Sequence, residues 1–271
     1  MRAPFVTTSR ELGIVGKQAI ALSLTVVGGF VDAVGYIALF QVFTANMSGN
    51  SVHVGMYLGQ LDLANLARPV CAILAYILGV VITRIVMEVA ARSDFQRIAS
   101  FTLAAEAVLL LLFARANPAM HLGTIVDLNS PAYFSLVALL AFAMGVQTGT
   151  LTHIGLLTVY TTFVTGTLTK FSESLVRALF WIWDEITAST TGASDIVRRA
   201  AKQTDVRDTL FLASVWSCYV VGAVIGTVIK SRWELRALYL PVGVLIIFIV
   251  IDMVRPFGIE EERHQQGISA S

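Results

Sequence analysis

Apolar and polar positions in this chain are sorted into blocks: long greasy runs are separated by short polar stretches. A helix needs roughly 18 or more predominantly apolar residues to cross the hydrocarbon core of a bilayer. Six runs meet that length, at about 19–42, 69–91, 98–116, 132–155, 209–229 and 236–254. Two less apolar segments, about 43–60 and 158–184, follow the first and fourth of these runs. Within the first weak segment, helical spacing puts Asn46, Asn50, His53, Tyr57 and Gln60 on one face. In the second it aligns Lys170, Glu173, Ser174, Arg177 and Asp184. These stripes are too polar for lipid, and each segment has two readings. One is a re-entrant piece lining a cavity; the other is an amphipathic helix lying along the headgroups.

Proline positions fit the run boundaries, because proline lacks an amide hydrogen and sits best at a helix start or beyond its end. Pro69 and Pro131 are expected at the starts of the second and fourth spans, Pro118 and Pro256 follow the third and sixth, and Pro241 lies in the first turns of the sixth. The run after Lys17 is too long for a secretory signal and reads as a retained first span.

Composition agrees with the pattern. Hydrophobic residues make up 56% and charged residues 14%, against about 25% charged in soluble domains, and mean hydropathy is +0.76. The expectation is an all-α polytopic membrane protein in a lipid bilayer. A net charge of +1 supplies no field for nucleic acid. Cys71 and Cys218 fall inside spans and carry no redox inference. Lys and Arg gather on the cytoplasmic side of membrane proteins. With six crossings and the N-terminus inside, 13 of the 19 fall inside and five outside, with Arg84 within a span. Eight crossings, with both weak segments spanning, is the rival. The layout is then a tail at 1–18, a membrane unit at 19–116, an external loop at 117–131, a second unit at 132–255 carrying a charged linker at 185–208, and a tail at 256–271.

The two units share a skeleton. Gly28 precedes Gly49 by 21 positions, as Gly145 precedes Gly166, and Tyr76-Ile77-Leu78-Gly79 corresponds to Tyr219-Val220-Val221-Gly222. Three crossings per unit make the copies inverted, as in many transporters; four make them parallel. Chance matching of glycine-containing apolar sequence is the plain alternative.

At these residues the chain resembles a known family. Gly-Phe-Val-Asp-Ala at 29–33, Met-Ser-Gly-Asn at 47–50, Met-Gly-Val-Gln at 144–147 and Thr-Gly-Thr-Leu at 165–168 look like the motifs of the YoaK family of bacterial inner-membrane proteins. The resemblance covers about residues 18–255. Ser48 stands where threonine is usual, Thr148 where asparagine is often seen, and the charged linker is longer than in compact members. The resemblance implies a multi-pass plasma-membrane protein with about six spans, and it brings no substrate and no catalytic residues.

The candidate solute or ion site is the set Asp32, Asn46, Ser48, Asn50, His53, Gln147, Thr165, Thr167 and Glu106. If the two weak segments dip inward from opposite sides, Ser48-Gly49-Asn50 and Thr165-Gly166-Thr167 approach each other. Asp32 sits near the middle of the first span, where an acid costs about 2.5–3.5 kcal/mol on insertion scales. It is either a proton- or cation-binding carboxylate or a cap after a helix break at Gly28-Gly29. The repeat match pairs it with Gly149, which leaves no second carboxylate. Glu106 is either functional or paired to a neighbouring span. Arg84 and Glu88, four apart, read as a salt bridge, and Ala75, Gly79, Gly222 and Gly226 as close helix contacts. His53 and His153 lack metal-ligand spacing, and neither a metal nor a cofactor is expected. No phosphate-binding loop and no catalytic constellation is present in the sequence, so the expected class is a secondary transporter or channel-like carrier of a small polar solute or ion, not an enzyme. The rival is a scaffold, sensor or assembly factor that docks a partner through the linker. A homo-oligomer is compatible with either.

Overall fold

In the computed structural model, residues 14–92, 97–116, 127–150, 164–188 and 193–254 are described, and among them there is no strand. The elements in order are α1 (Ile14–Ala38), α2 (Met47–Gly59), α3 (Leu63–Arg92), α4 (Ile98–Ala116), α5 (Pro131–Thr150), α6 (Val164–Ala188), α7 (Ala193–Ala200), α8 (Thr204–Trp233), a 3-10 turn (Glu234–Leu238) and α9 (Tyr239–Val254).

Five stretches are long and apolar enough to cross a membrane: Val15–Ala38, Leu63–Ala90, Ile98–Arg115, Pro131–Thr150 and the 51-residue Thr204–Val254. The chain is a multi-pass membrane protein. α1 and α5 are central, with 67% of each apolar window buried, whereas only 22% of the α3 window is. The outer face of α3 carries Leu74, Ile77, Leu78, Val81, Ile82, Ile85 and Val89, all exposed. A bare apolar face of that extent suits acyl chains, not water.

Helix starts follow capping chemistry. Ser130 Oγ accepts from Tyr133 N (3.2 Å) with Pro131 at the first helical position of α5. Asp62 Oδ1 accepts from Asn65 N (3.2 Å) at the start of α3. That cap opens α3 six residues before Pro69, so this proline lies inside the helix instead of at its start. It falls in the second turn, where its missing N–H leaves the Asn65 carbonyl without an i+4 donor. The other boundaries shift in the same way. α1 runs from 14 to 38 instead of 19 to 42, and α6 continues to 188. The linker at 185–208 includes the end of α6, all of α7 and the first turn of α8. Residues 151–163, including His153 and part of the second weak segment, lie outside the described residues.

Packing pairs α1 with α8 and α3 with α5, while α4 lies against both α5 and α9. α2 rests on α3, and α6 on α8. Glycines set the two closest contacts. A methyl group at Gly29 would overlap the Tyr219 carbonyl, and one at Gly222 the Val26 carbonyl. Between α5 and α3, Gly145 meets the Tyr76 carbonyl and Gly79 the Phe142 carbonyl in the same manner. Backbones approach this closely only where no Cβ intervenes.

Candidate functional site

The chain reverses after α1. Phe40 (φ 50°) and Gln41 (φ 70°) adopt left-handed backbone, which costs non-glycine residues roughly 1–2 kcal/mol each. The reversal sends residues 43–45 back along the last turns of α1. Thr44 meets Asp32, six residues before the end of that helix and so about 9 Å along its axis. Asp32 Oδ1 accepts from Thr44 N (2.9 Å), Thr44 Oγ1 (3.2 Å) and Ala45 N (2.8 Å), and Oδ2 accepts from Tyr219 Oη of α8 (2.6 Å). The side chain is 4% exposed and all four donors are neutral. A carboxylate so surrounded is held by oriented dipoles, each such bond being stronger than a neutral one. Asp32 is therefore a cap, but for the returning segment. No break occurs at Gly28-Gly29, where α1 is continuous.

Asn50 secures the same segment from the other side. Its Nδ2 donates to Phe43 O (2.7 Å) and its Oδ1 accepts from Phe43 N (3.1 Å), so the side-chain amide pairs with backbone as a strand would. Asn46 caps α2 by accepting from Gly49 N (3.4 Å) and from Ser48 Oγ (2.7 Å). Ser48 is exposed, while Asn50 is fully buried. His53 lies between Phe43 and Tyr57, with ring centroids 6.2 Å from each. At 13 residues α2 is about 20 Å long, short of the ~30 Å hydrocarbon core. On the expected polar face of the first weak segment Asn50 is buried and Asn46, His53 and Tyr57 are half-buried, while Gln60 is exposed.

A related joint holds α3 to α5. Tyr76 Oη donates to Thr148 Oγ1 (3.1 Å), and Thr148 Oγ1 also bonds the Met144 carbonyl (2.9 Å). The two contacts share a register: Gly29 meets the Tyr219 carbonyl as Gly145 meets the Tyr76 carbonyl. Thr148 stands three residues after Gly145, as Asp32 stands three after Gly29. No second carboxylate stands there, but a second hydroxyl-bonded polar group does. Next to it, Gln147 Nε2 donates to Leu24 O of α1 (3.1 Å), and its Oε1 is buried without a partner.

At the start of the second weak segment, Thr167 is buried and Thr165 exposed. α2 and α6 are seated on different helices, α3 and α8, and form no extensive contact with each other among the described residues. From the polar stripe of α6, Arg177 reaches the linker. Arg177 Nε bonds Asp205 Oδ1 (2.9 Å), Arg177 Nη2 bonds Ser174 Oγ (3.0 Å), and Arg199 Nη1 pairs with Glu185 Oε1 (2.5 Å).

Glu106 is fully buried in α4, and among the described residues neither carboxyl oxygen has a hydrogen-bond partner, so the expected pairing to a neighbouring span is not found among them. Glu88 pairs with Arg92 (2.7 Å).

With this geometry in hand, comparison with known proteins becomes informative. A family model described as "Protein of unknown function (DUF1275)" matches residues 20–251. The chain belongs to the DUF1275 family. It is also 28% identical over 233 residues to the UPF0700 transmembrane protein YoaK of Bacillus subtilis (strain 168), covering 84% of this chain and 90% of that relative. No solved structure matches. The stretch matched to DUF1275 contains both glycine joints, Asp32 and Glu106.

Several residues that build this DUF1275 site escaped the sequence reading. Tyr219 and Tyr76 stand out in the sequence only as repeat markers, although their hydroxyls supply the joints. Nothing in the sequence sets Thr44 apart from the other hydroxyls. Asp252, fully buried near the end of α9, accepts from Ser100 N (2.9 Å) and Ser100 Oγ (2.5 Å) and so caps α4 from another helix. An acid two residues from the end of a run reads as an interfacial residue, so its partner 152 positions away left no local signal.

Proposed function

We propose that the protein is a secondary carrier or channel-like protein for a small polar solute or ion in a bacterial plasma membrane, with six crossings arranged as two inverted repeats. The repeats are α1–α4 and α5, α6, α8 and α9. In support, exchanging α1 with α5, α3 with α8, α2 with α6 and α4 with α9 converts the α1–α8 contact into the α5–α3 contact and the α2–α3 contact into the α6–α8 contact. α2 is too short to cross, and the 51-residue stretch is interrupted by the 3-10 turn, which allows it two crossings.

The observation that carries the reading is the position of Asp32. It joins three things: the helix it sits on, the re-entrant segment at Thr44 and Ala45, and Tyr219 of the other repeat. A proton or cation arriving at Asp32 competes with these donors. Occupancy of the carboxylate is thereby coupled to the position of the segment and to the contact between repeats, as a carrier requires. The reading assigns no catalytic step.

The test is flux through purified protein in liposomes. Asp32→Asn lowers solute-dependent or proton-coupled flux by about tenfold or more, equal to ~1.4 kcal/mol, while the folded amount is retained. A broad screen of solutes and ions without flux overturns the carrier reading. A scaffold is favoured by a different observation, the tying of α7 and the start of α8 to α6 through Arg199–Glu185 and Arg177–Asp205, which gives the linker a defined exposed shape. Loss of the cellular phenotype on removing only residues 189–203, with flux absent, selects that reading.

A further inference from the structure

Glu106 occupies the middle of α4, on the face that also carries Leu103, Ala107 and Leu110, all buried. The elements packed on α4 are α5, α9, the 3-10 turn and, more lightly, α3. Their titratable groups are few or already engaged. α5 offers only Tyr133, whose hydroxyl donates to Leu39 O (2.8 Å). α9 offers Tyr239 and Asp252, the latter held by Ser100. The turn brings Glu234 and Arg236, and α3 brings Arg68, Cys71, Tyr76, Arg84, Glu88 and Arg92. None of them forms a hydrogen bond or ion pair with Glu106, and among the described residues both of its carboxyl oxygens are without a partner.

An ionised carboxylate in such surroundings costs several kcal/mol, and the neutral acid far less. Glutamine or leucine would fill the same place without that demand, so packing alone does not call for an acid. We infer that Glu106 is a proton-binding site in the membrane core, loaded in this conformation and exchanging with water when α4 separates from α5 or α9. The inference deepens the carrier reading by naming the coupling ion. The bound proton itself is observable without any flux.

Full-length protein in liposomes is treated with dicyclohexylcarbodiimide, which adds to protonated carboxyl groups in apolar surroundings, and the modified residue is located by peptide mass spectrometry. In parallel, infrared spectra are recorded on protein carrying carboxyl-13C glutamate. The expected result is labelling at Glu106 that declines as pH rises, absent in Glu106→Gln. A protonated-glutamate carbonyl band that shifts with the isotope accompanies it, and that band needs no variant to be read. Folded wild-type protein with no labelling at Glu106 and no such band overturns the inference. Where flux is measured, Glu106→Gln flattens its pH dependence; an unchanged pH profile overturns the coupling role. A protonated Glu106 in a protein that moves nothing sinks the carrier reading alone.

Discussion

The joint between α1 and α8 and the joint between α3 and α5 share a plan and differ in the polar group that their tyrosines meet. Each sets two glycines against facing backbone carbonyls, and each places a tyrosine hydroxyl on a polar group of the opposite helix. In the first joint that group is Asp32, which also holds a returning loop; in the second it is Thr148, whose hydroxyl bonds Tyr76 and the Met144 carbonyl of its own helix. The difference teaches where charge is needed. The segment that returns after the two left-handed residues brings three donors to one place, and a carboxylate oxygen satisfies all three at once.

The largest expected effect tests what the joints share. Gly29→Leu and Gly145→Leu each force a side chain into backbone, and overpacking of this kind costs about 3 kcal/mol or more. Both variants should lose folded, monodisperse protein in size-exclusion chromatography. Tolerance of either one would mean that its joint is not tightly packed.

Next comes the contrast between partners. Asp32→Ala strands buried amides at Thr44 and Ala45 and should lower stability by about 3–5 kcal/mol, whereas Thr148→Ala should cost about 1 kcal/mol. Chemical denaturation followed by tryptophan fluorescence reads the ratio, and equal losses would erase the proposed asymmetry. Tyr219→Phe and Tyr76→Phe sharpen the same point at smaller scale. A hydrogen bond to a charged group contributes about 1.5–3 kcal/mol and a neutral one about 0.5–1.5, so the Tyr219 variant should be the weaker of the two by the same measurement.

The smallest effect lies outside both joints. Hydrogen bonds from the Asn65 side chain and backbone hold the Asp62 carboxyl below its ordinary value. A carboxylate lowered in the folded state stabilises above its unfolded value, about 3.9, and that contribution is lost as pH falls through the folded value. Wild type should therefore be slightly more stable than Asp62→Asn at neutral pH, with the gap closing below about pH 4. A gap that widens on acidification would contradict the cap.

Much of the scaffold was legible in the chain. The run at 98–116 is α4 to the residue, because a lipid-crossing helix advertises itself by length and hydropathy alone. Gly79, Gly222 and Gly226 could be picked out as contact points, since small residues are what close helix approach demands. The polar face of 46–60 survived for the same reason: Asn50, His53 and Tyr57 share a face by helical spacing, whatever the partner. Other features were not readable. Asp32 announced a cost but not the donors that meet it, and Glu106 announced the same cost although no donor meets it.

What this sequence determined alone is its solvent, its helices and the places where those helices come close, all of which follow from local composition and periodicity. Tertiary structure decided which acid is held and which stands alone. Satisfaction of a buried polar group depends on atoms delivered from elsewhere in the chain, 187 residues away for Tyr219 and Asp32, and no local pattern encodes a distance in space.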